Sequence, residues 1–248
     1  MSIITLLGAS SSDKTTLQGT DGADLFKVES NNIFVEGLKG NDTVSGTRSI
    51  KNISVNTGAD NDSLNFMASV STSALVLGVG NDTVNIQSFS GSIHSGAGAD
   101  TLTSRSNYAI TNAIIRGDGG SDDFNLAKLT NTIINSNADD DNISVEGSAT
   151  SSSIYGGRQN DTISISEVAN SLIRGDANED QITITGSIDK TLINGNAGND
   201  TLIISSTNIA SSTLFGGQGN DSIVASGDAI YIDGGKGDDD IDTTGDKK

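Results

Sequence analysis

The chain has 248 residues without proline or cysteine, and its 32 acidic and 14 basic residues give a formal net charge of −18. This charge disfavours nucleic acid and anionic membranes as partners, and the lack of cysteine excludes disulfides and thiolate metal sites. Apolar residues make up 33% of the chain and aromatic residues 4%, which is too little for a thick globular core. Thirty glycines among many Ile, Val and Thr residues predict short strands joined by tight turns.

Residues 1–16 are expected to cap the end of the repeat array that occupies residues 17–248. The apolar stretch in this segment is not preceded by basic residues and is too short to cross a bilayer. We therefore expect neither a cleaved signal peptide nor a transmembrane segment. A first strand from Ser2 to Leu7 that covers the end of the stack is the better interpretation.

A repeat of about 20 residues, each copy marked by one aspartate, follows. The twelve aspartates are Asp24, Asp42, Asp62, Asp82, Asp100, Asp122, Asp141, Asp161, Asp180, Asp200, Asp221 and Asp239. The residue two positions after the aspartate is apolar in every copy, and so is the residue seven positions before it. These columns predict two short strands per coil, each with one buried face. Because a single coil cannot bury its own apolar face, we expect a right-handed parallel β-solenoid of about twelve stacked coils.

A six-residue turn that ends in the aspartate connects the two strands. Its clearest copies are GGQGND (216–221), GGKGDD (234–239), GDGGSD (117–122) and GNAGND (195–200). The second and fourth positions hold Gly, Asn or Asp, which tolerate positive φ, in all copies except at Thr20, Leu38 and Gln159. Such a backbone turns its carbonyls toward a common point. Together with the carboxylate, they form the all-oxygen shell that Ca²⁺ prefers.

With the strand that follows, these turns match GGxGxDxUx, where U is a large apolar residue, and residues 17–242 resemble the RTX family of hemolysin-type calcium-binding repeats. The resemblance implies that calcium ions lie between successive turns, with at most eleven sites along one edge of the twelve turns. It marks as metal-binding the twelve aspartates together with Gly78, Gly80, Gly96, Gly98, Gly117, Gly195, Gly216, Gly217, Gly219, Gly234, Gly235 and Gly237. The alternative, that Asp and Gly merely form turns, does not explain an acid in every copy.

The other edge of the coil departs from the RTX pattern, in which both edges carry a calcium turn. Here that edge is rich in Ser, Thr, Asn and Ala and has no column of acids, so we expect no ions there. His94 is the only histidine, and strand alternation places it outward. Without a pairing of nucleophile and base, we expect no enzymatic activity.

These observations favour a calcium-binding structural module of the surface-layer, adhesin or matrix type that folds on binding Ca²⁺. The resemblance implies secretion, or display on a bacterial surface, by type I export without a cleaved signal peptide. End-to-end self-association and a surface glycan are further candidate partners. Arg116 and Arg174, which precede two of the turns, would either bind an acidic glycan or neutralise nearby aspartates.

Two alternative functions stay open. A calcium-dependent ice-binding solenoid would present threonine in the turn, but no threonine occurs at the third turn position in any copy. A non-catalytic module of a secreted polysaccharide-acting enzyme would share the fold, although the chain has no tryptophan and only three tyrosines to contact a sugar.

Overall fold

The computed structural model describes residues 2–6, 14–205, 208–226 and 230–243. Within these residues all regular secondary structure is β, and each strand pairs in parallel with the strand about 20 residues further along the chain. None of these residues belongs to a helix that could cross a membrane. The fold is a parallel β-solenoid, as predicted. The twelve aspartate turns are stacked in register and delimit eleven complete turns, close to the twelve coils expected from the sequence.

The first ladder consists of Ser2–Leu6 and the strands that follow the aspartates. The residue two positions after the aspartate is buried in all of the latter except the last, where Ile241 is 42% exposed. Its strands, including longer ones that continue around a corner, are Ser2–Leu6, Asp24–Val28, Thr43–Gly46, Ser63–Val79, Thr83–Ala97, Thr101–Ser104, Asp123–Leu126, Asn142–Thr150, Thr162–Ala169, Gln181–Ile184, Thr201–Ile204, Ser222–Ala225 and Asp240–Thr243. Ser2–Leu6 pairs with Asp24–Val28, so a strand lies at the end of the stack as expected. Leu7 lies outside the described residues.

The second ladder consists of the strands that precede the turns. Its members, besides the ends of the two long strands Ser63–Val79 and Thr83–Ala97, are Thr15–Gln18, Ile33–Glu36, Ser54–Ala59, Ile110–Gly119, Ile133–Asn137, Ser153–Arg158, Leu172–Ala177, Leu192–Ala197, Ser212–Gln218 and Ile230–Lys236. The apolar column seven residues before the aspartates lies on the inner face of this ladder.

A third, shorter ladder lies between the other two, in addition to the two strands per coil that the sequence predicts. It contains Ile50–Lys51, Leu129–Thr130, Ile188–Asp189, Ile209–Ala210 and parts of the longer strands. Its inward residues form one buried column: Ile50, Val70, Phe89, Ile110, Leu129, Ala149, Val168, Ile188 and Ile209. All but Phe89 lie 12 residues before the next aspartate, a regularity that could have revealed the ladder.

The inward columns of the three ladders form one continuous hydrophobic core. Three positions four residues after an aspartate, Gly46, Ser104 and Thr243, interrupt the apolar pattern, and neighbouring coils compensate for the first two. A Cβ added to Gly46 would lie 3.0 Å from Cδ1 of Phe66, so the Phe66 ring fills the space that Gly46 leaves. The hydroxyl of Ser104 accepts a hydrogen bond from the backbone N–H of Ala127 at 2.8 Å.

The corner after the third ladder closes through a column of buried hydroxyl groups. Its members are Ser73, Thr132, Ser152, Ser171, Thr191 and Ser212. Each hydroxyl donates to the carbonyl two residues before it, at 2.7–3.1 Å. In four places the hydroxyl also accepts a backbone N–H from the preceding coil, at 3.1–3.2 Å. Neutral groups therefore satisfy the polar backbone of this corner.

The hydroxyl column predicts that Ser152→Ala destabilises the fold. The change leaves the buried N–H of Thr132 without its acceptor, which costs about 1–3 kcal/mol. The midpoint of urea denaturation should therefore fall. The matched control is Ser164→Ala, which removes a hydroxyl that faces outward on the first ladder. Equal midpoints for the two variants would show that the column contributes nothing.

Candidate metal site

The aspartate column occupies the corner between the second and the first ladder. Strand register places each aspartate over its counterpart in the next coil, and eleven of the twelve side chains are no more than 3% exposed. Asp239, in the last turn, is the exception and is half-buried. The stacking of identical coils thus places a row of acids inside the protein.

One carboxylate oxygen of each aspartate from Asp42 to Asp239 connects two coils. Oδ1 accepts a hydrogen bond from the backbone N–H of the aspartate one coil earlier, and the eleven bonds of this kind measure 2.6–3.0 Å. In the middle of the stack, for example, the N–H of Asp141 donates to Asp161, whose own N–H donates to Asp180. We call this repeated bond the aspartate clip.

The second oxygen, Oδ2, is buried without a hydrogen-bond partner in ten coils. These carboxylates belong to Asp42, Asp62, Asp82, Asp100, Asp122, Asp141, Asp161, Asp180, Asp200 and Asp221. Buried polar atoms in native proteins almost always have a partner, and a buried charge without one is more costly still. A proton or a bound cation must therefore compensate these oxygens.

Glycine at the first turn position leaves space beside the unpaired oxygen in most coils. A Cβ added to Gly156 would lie 2.5 Å from Oδ2 of Asp161 and 2.8 Å from the carbonyl oxygen of Gly175 in the next coil. Added to Gly117, Gly195, Gly216 or Gly234, it would clash with the carboxylate of its own turn. The first turn position is also left out of the strand pairing: Tyr155 pairs with Arg174 and Gly157 pairs with Asp176, but Gly156 and Gly175 are not paired. A carboxylate oxygen and a backbone carbonyl thus border the same space.

In four coils a buried side chain occupies the first turn position instead. These residues are Thr57, Leu77, Ser95 and Ser136. The hydroxyl of Thr57 donates to the carbonyl of Leu77 at 2.9 Å, and that of Ser136 donates to the carbonyl of Gly156 at 2.8 Å. Oδ2 of these four carboxylates has no hydrogen-bond partner of good geometry. The nearby hydroxyls of Thr57 and Ser136 nevertheless lower the pKa of Asp62 and Asp141 against the effect of burial.

The second and fourth turn positions adopt positive φ in eleven of the twelve turns, as predicted. The predicted glycines at these positions are Gly78, Gly80, Gly96, Gly98, Gly217, Gly219, Gly235 and Gly237, with φ between 100° and 140°. Leu38 and Gln159 also adopt positive φ, at 85° and 69°, although their side chains disfavour it. Only the first turn differs, at Thr20 and Gly22. These glycines therefore shape the backbone around the carboxylates.

The fifth turn position carries a further column of hydrogen bonds between coils, which the sequence did not predict. Asn61 donates its backbone N–H to Oδ1 of Asn41 at 3.1 Å, and Asn81 donates to Asn61 at 2.7 Å. In the C-terminal half, Asn220 donates to Asn199 at 2.8 Å. These bonds run from the later coil to the earlier one, opposite in direction to the aspartate clips. In each such turn the aspartate side chain therefore bonds to the earlier coil, and the asparagine side chain bonds to the later coil.

Burial raises the pKa of the ten stacked carboxyl groups from Asp42 to Asp221 above the ordinary value of 3.8, and neighbouring carboxylates in the column add to the rise in most of them. The pKa reaches about 8 for Asp122 and Asp161 and about 7 for Asp180. It reaches about 6 for Asp42, Asp62, Asp82, Asp100, Asp141 and Asp200. The N–H of the aspartate clip acts in the opposite direction. If the chain folds at neutral pH without a cation, the aspartates of the column must therefore either stay charged inside the protein or take up protons.

The donor set of these turns suits a hard cation. Nowhere in the described part of the chain do three or more His, Cys, Asp or Glu side chains converge as a metal cluster. Each turn instead offers one unpaired carboxylate oxygen beside backbone carbonyls, and oxygen donors of this kind suit Ca²⁺ rather than Zn²⁺. His94 lies outside the column, with Nδ1 at 3.6 Å from Oδ2 of Asp118. The guanidinium of Arg174 lies 5.9 Å from the centre of the Tyr155 ring.

No family model and no curated protein matches the chain in sequence. Among solved structures, the chain is similar to the crystal structure of a hyperactive, Ca²⁺-dependent, β-helical antifreeze protein from an Antarctic bacterium. The TM-score is 0.78 at 20% sequence identity, and the match covers 97% of this chain and 82% of the other. At this identity the similarity supports the β-helical fold, while calcium dependence and antifreeze activity are statements about the other protein.

The raised pKa values predict that the calcium-free protein is more stable in mild acid than at neutral pH. Because the folded acids keep protons that the unfolded chain has lost, stability is greatest below about pH 4 and falls as the pH rises to about 8. Circular dichroism at pH 5.0 and pH 7.5, after removal of divalent ions, measures the folded fraction at each pH and tests this window.

Asp122→Asn should reduce the difference in folded fraction between the two pH values. Glu146→Gln removes one exposed charge and controls for the general loss of repulsion. A calcium-free protein that is more stable at pH 7.5 than at pH 5.0 would contradict the assignment of the pKa shifts to the column.

Proposed function

We propose that the protein is a calcium-binding structural solenoid in which Ca²⁺ ions bind between stacked turns and complete the fold. The observation that carries this proposal is the unpaired, buried Oδ2 that recurs in ten coils. The donors for each ion are the aspartate of one turn and backbone carbonyls of that turn and the next, such as Asp161 and Gly175. The RTX-like turn sequence supports the same ion.

Charge neutralisation is the role of calcium in this proposal. Two carboxylates one coil apart, at about 4.8 Å, repel each other by about 0.9 kcal/mol in water and more strongly inside a protein. Ten sites would take ten divalent ions, which roughly balances the formal charge of −18. The energy of binding these ions contributes directly to folding, because the unfolded chain has no preformed site.

Calcium-dependent folding suits a protein that works where calcium is plentiful. We therefore place the protein outside the cell or on a bacterial surface, without enzymatic activity, as a surface-layer, adhesin or matrix module exported by a type I route. End-to-end association would continue the stack across two molecules. A glycan bound near Arg116 and Arg174 is a further proposal, and the contact of Arg174 with Tyr155 offers it a cation beside an aromatic ring.

The proposed function predicts that added Ca²⁺ drives cooperative formation of β-structure and that Mg²⁺ does so poorly, since the small octahedral shell of Mg²⁺ does not suit a carbonyl-rich turn. Asp161→Ala should raise the midpoint of the calcium titration several-fold more than Asp239→Ala. A lost ligand in the middle of the array weakens two interfaces, while one in the last turn weakens a single interface. Circular dichroism during titration from chelator measures the midpoints.

Two outcomes of this titration would contradict the proposal. Stable β-structure in excess chelator at neutral pH would show that the column needs no ion. Equal midpoints for the two variants would show that the ions do not bridge successive coils of an isolated solenoid.

Ice binding is a second candidate function, favoured by the outer face of the first ladder. Between Thr43 and Thr201 the outward residues one and three positions after each aspartate are mostly Thr, Ser and Asn, with no basic or aromatic side chain. Thr43, Ser63, Thr83 and Thr101 are paired in register, which spaces small polar groups at about 4.8 Å along the outer face of the sheet. The structural similarity to an antifreeze protein supports the same candidate.

A thermal-hysteresis assay of the calcium-loaded protein tests this second function. Ice binding predicts a freezing-point gap that Thr83→Lys, on the outer face of the first ladder, reduces several-fold. Ser153→Lys, on the outer face of the second ladder, should leave the gap unchanged. Absence of any gap in the unmodified protein excludes ice binding without affecting the calcium proposal.

A further inference from the structure

The first turn of the solenoid, residues 19–24, differs from the other eleven in how its carboxylate is satisfied. Oδ2 of Asp24 accepts a hydrogen bond from the backbone N–H of Thr20 at 2.6 Å, and the Thr20 hydroxyl lies 3.0 Å from the same oxygen. The corresponding oxygens from Asp42 to Asp221 have no partner. Thr20 therefore provides donors at the place where the other turns leave a carboxylate oxygen unpaired.

The backbone of the first turn is also different. Neither Thr20 nor Gly22 adopts positive φ, whereas the residues at the same two positions do so in every other turn. Thr20 departs from the turn pattern at the second position, as Leu38 also does, but only Thr20 is β-branched, and a β-branched side chain disfavours positive φ. The same residue thus changes the path of the backbone and supplies the hydroxyl that faces the carboxylate.

We propose that Thr20 makes the first turn a metal-free cap, so that the column of cation sites begins at Asp42. The inference rests on the proposed calcium function and refines it from at most eleven sites to ten, one for each unpaired Oδ2. A cation at Asp24 would have to displace two hydrogen bonds and would meet an N–H, whose positive end repels it. Asp24 is a structural acceptor in this proposal and not a calcium ligand.

The turn of Asp239 is the last one among the described residues. Oδ1 of the half-buried Asp239 accepts the N–H of Asp221 at 3.0 Å, so this clip completes the site of Asp221 in the same way as the clips of the earlier coils.

Counting bound calcium tests the proposal. Metal analysis of gel-filtered protein, together with titration calorimetry, should give about ten ions per chain. Asp24→Asn should leave this number unchanged, whereas Asp122→Asn should lower it by one. Thr20→Gly, which removes the hydroxyl and permits positive φ, should raise it by one. Thr20→Ser, which keeps the hydroxyl, should leave it unchanged.

The outcomes separate this inference from the proposed function. Loss of one ion in Asp24→Asn, or an unchanged count in Thr20→Gly, would overturn the cap while leaving calcium binding intact. If Asp24→Asn does not fold, the comparison of Thr20→Gly with Thr20→Ser decides the question. A wild-type chain that binds no calcium would remove the proposed function itself, and the cap with it.

Discussion

The stacking of like residues on like is the constraint on which this structure depends. Successive coils are separated by the distance between two neighbouring β-strands, so a residue at a given position contacts the residue at the same position in the next coil. Apolar residues gain from this arrangement, because the three inward columns join into one core. Acidic residues are destabilising in this arrangement, because it brings charges of the same sign together in a buried row. The fold tolerates the second effect only if something compensates the row of acids.

The two polar corners respond to this constraint in different ways. In the hydroxyl column a neutral side chain both donates and accepts, so that Ser152 serves its own coil and the one before it. In the aspartate column the carboxylate can only accept, and one of its oxygens is left over. The first corner is therefore complete as folded, while the second depends on its surroundings. One corner of the solenoid is therefore stable under all conditions in which the chain folds, while the stability of the other corner depends on pH and on bound cations.

Much of the fold could be predicted because the aspartate spacing sets the register of both flanking strands. The third ladder escaped the sequence analysis because its distance after each aspartate varies from 7 to 10 residues, although its distance before the next one is nearly constant. Leu38 and Gln159 appeared as failures of the turn pattern, yet stacking against neighbouring turns holds both at positive φ. Residue type likewise could not show that Oδ1 is satisfied and Oδ2 is not. That difference depends on the direction of the carboxylate.

The direction of the aspartate clip also has a consequence for the length of the molecule. Each clip joins a coil to its immediate neighbour by the same bond, whether the pair lies near the beginning or the end of the chain. The geometry of the bond does not depend on the number of coils before or after it. Coils could therefore be duplicated or deleted as whole units during evolution without disturbing those that remain. The first turn, in which Thr20 donates to Asp24, is the position that such an event would have to preserve.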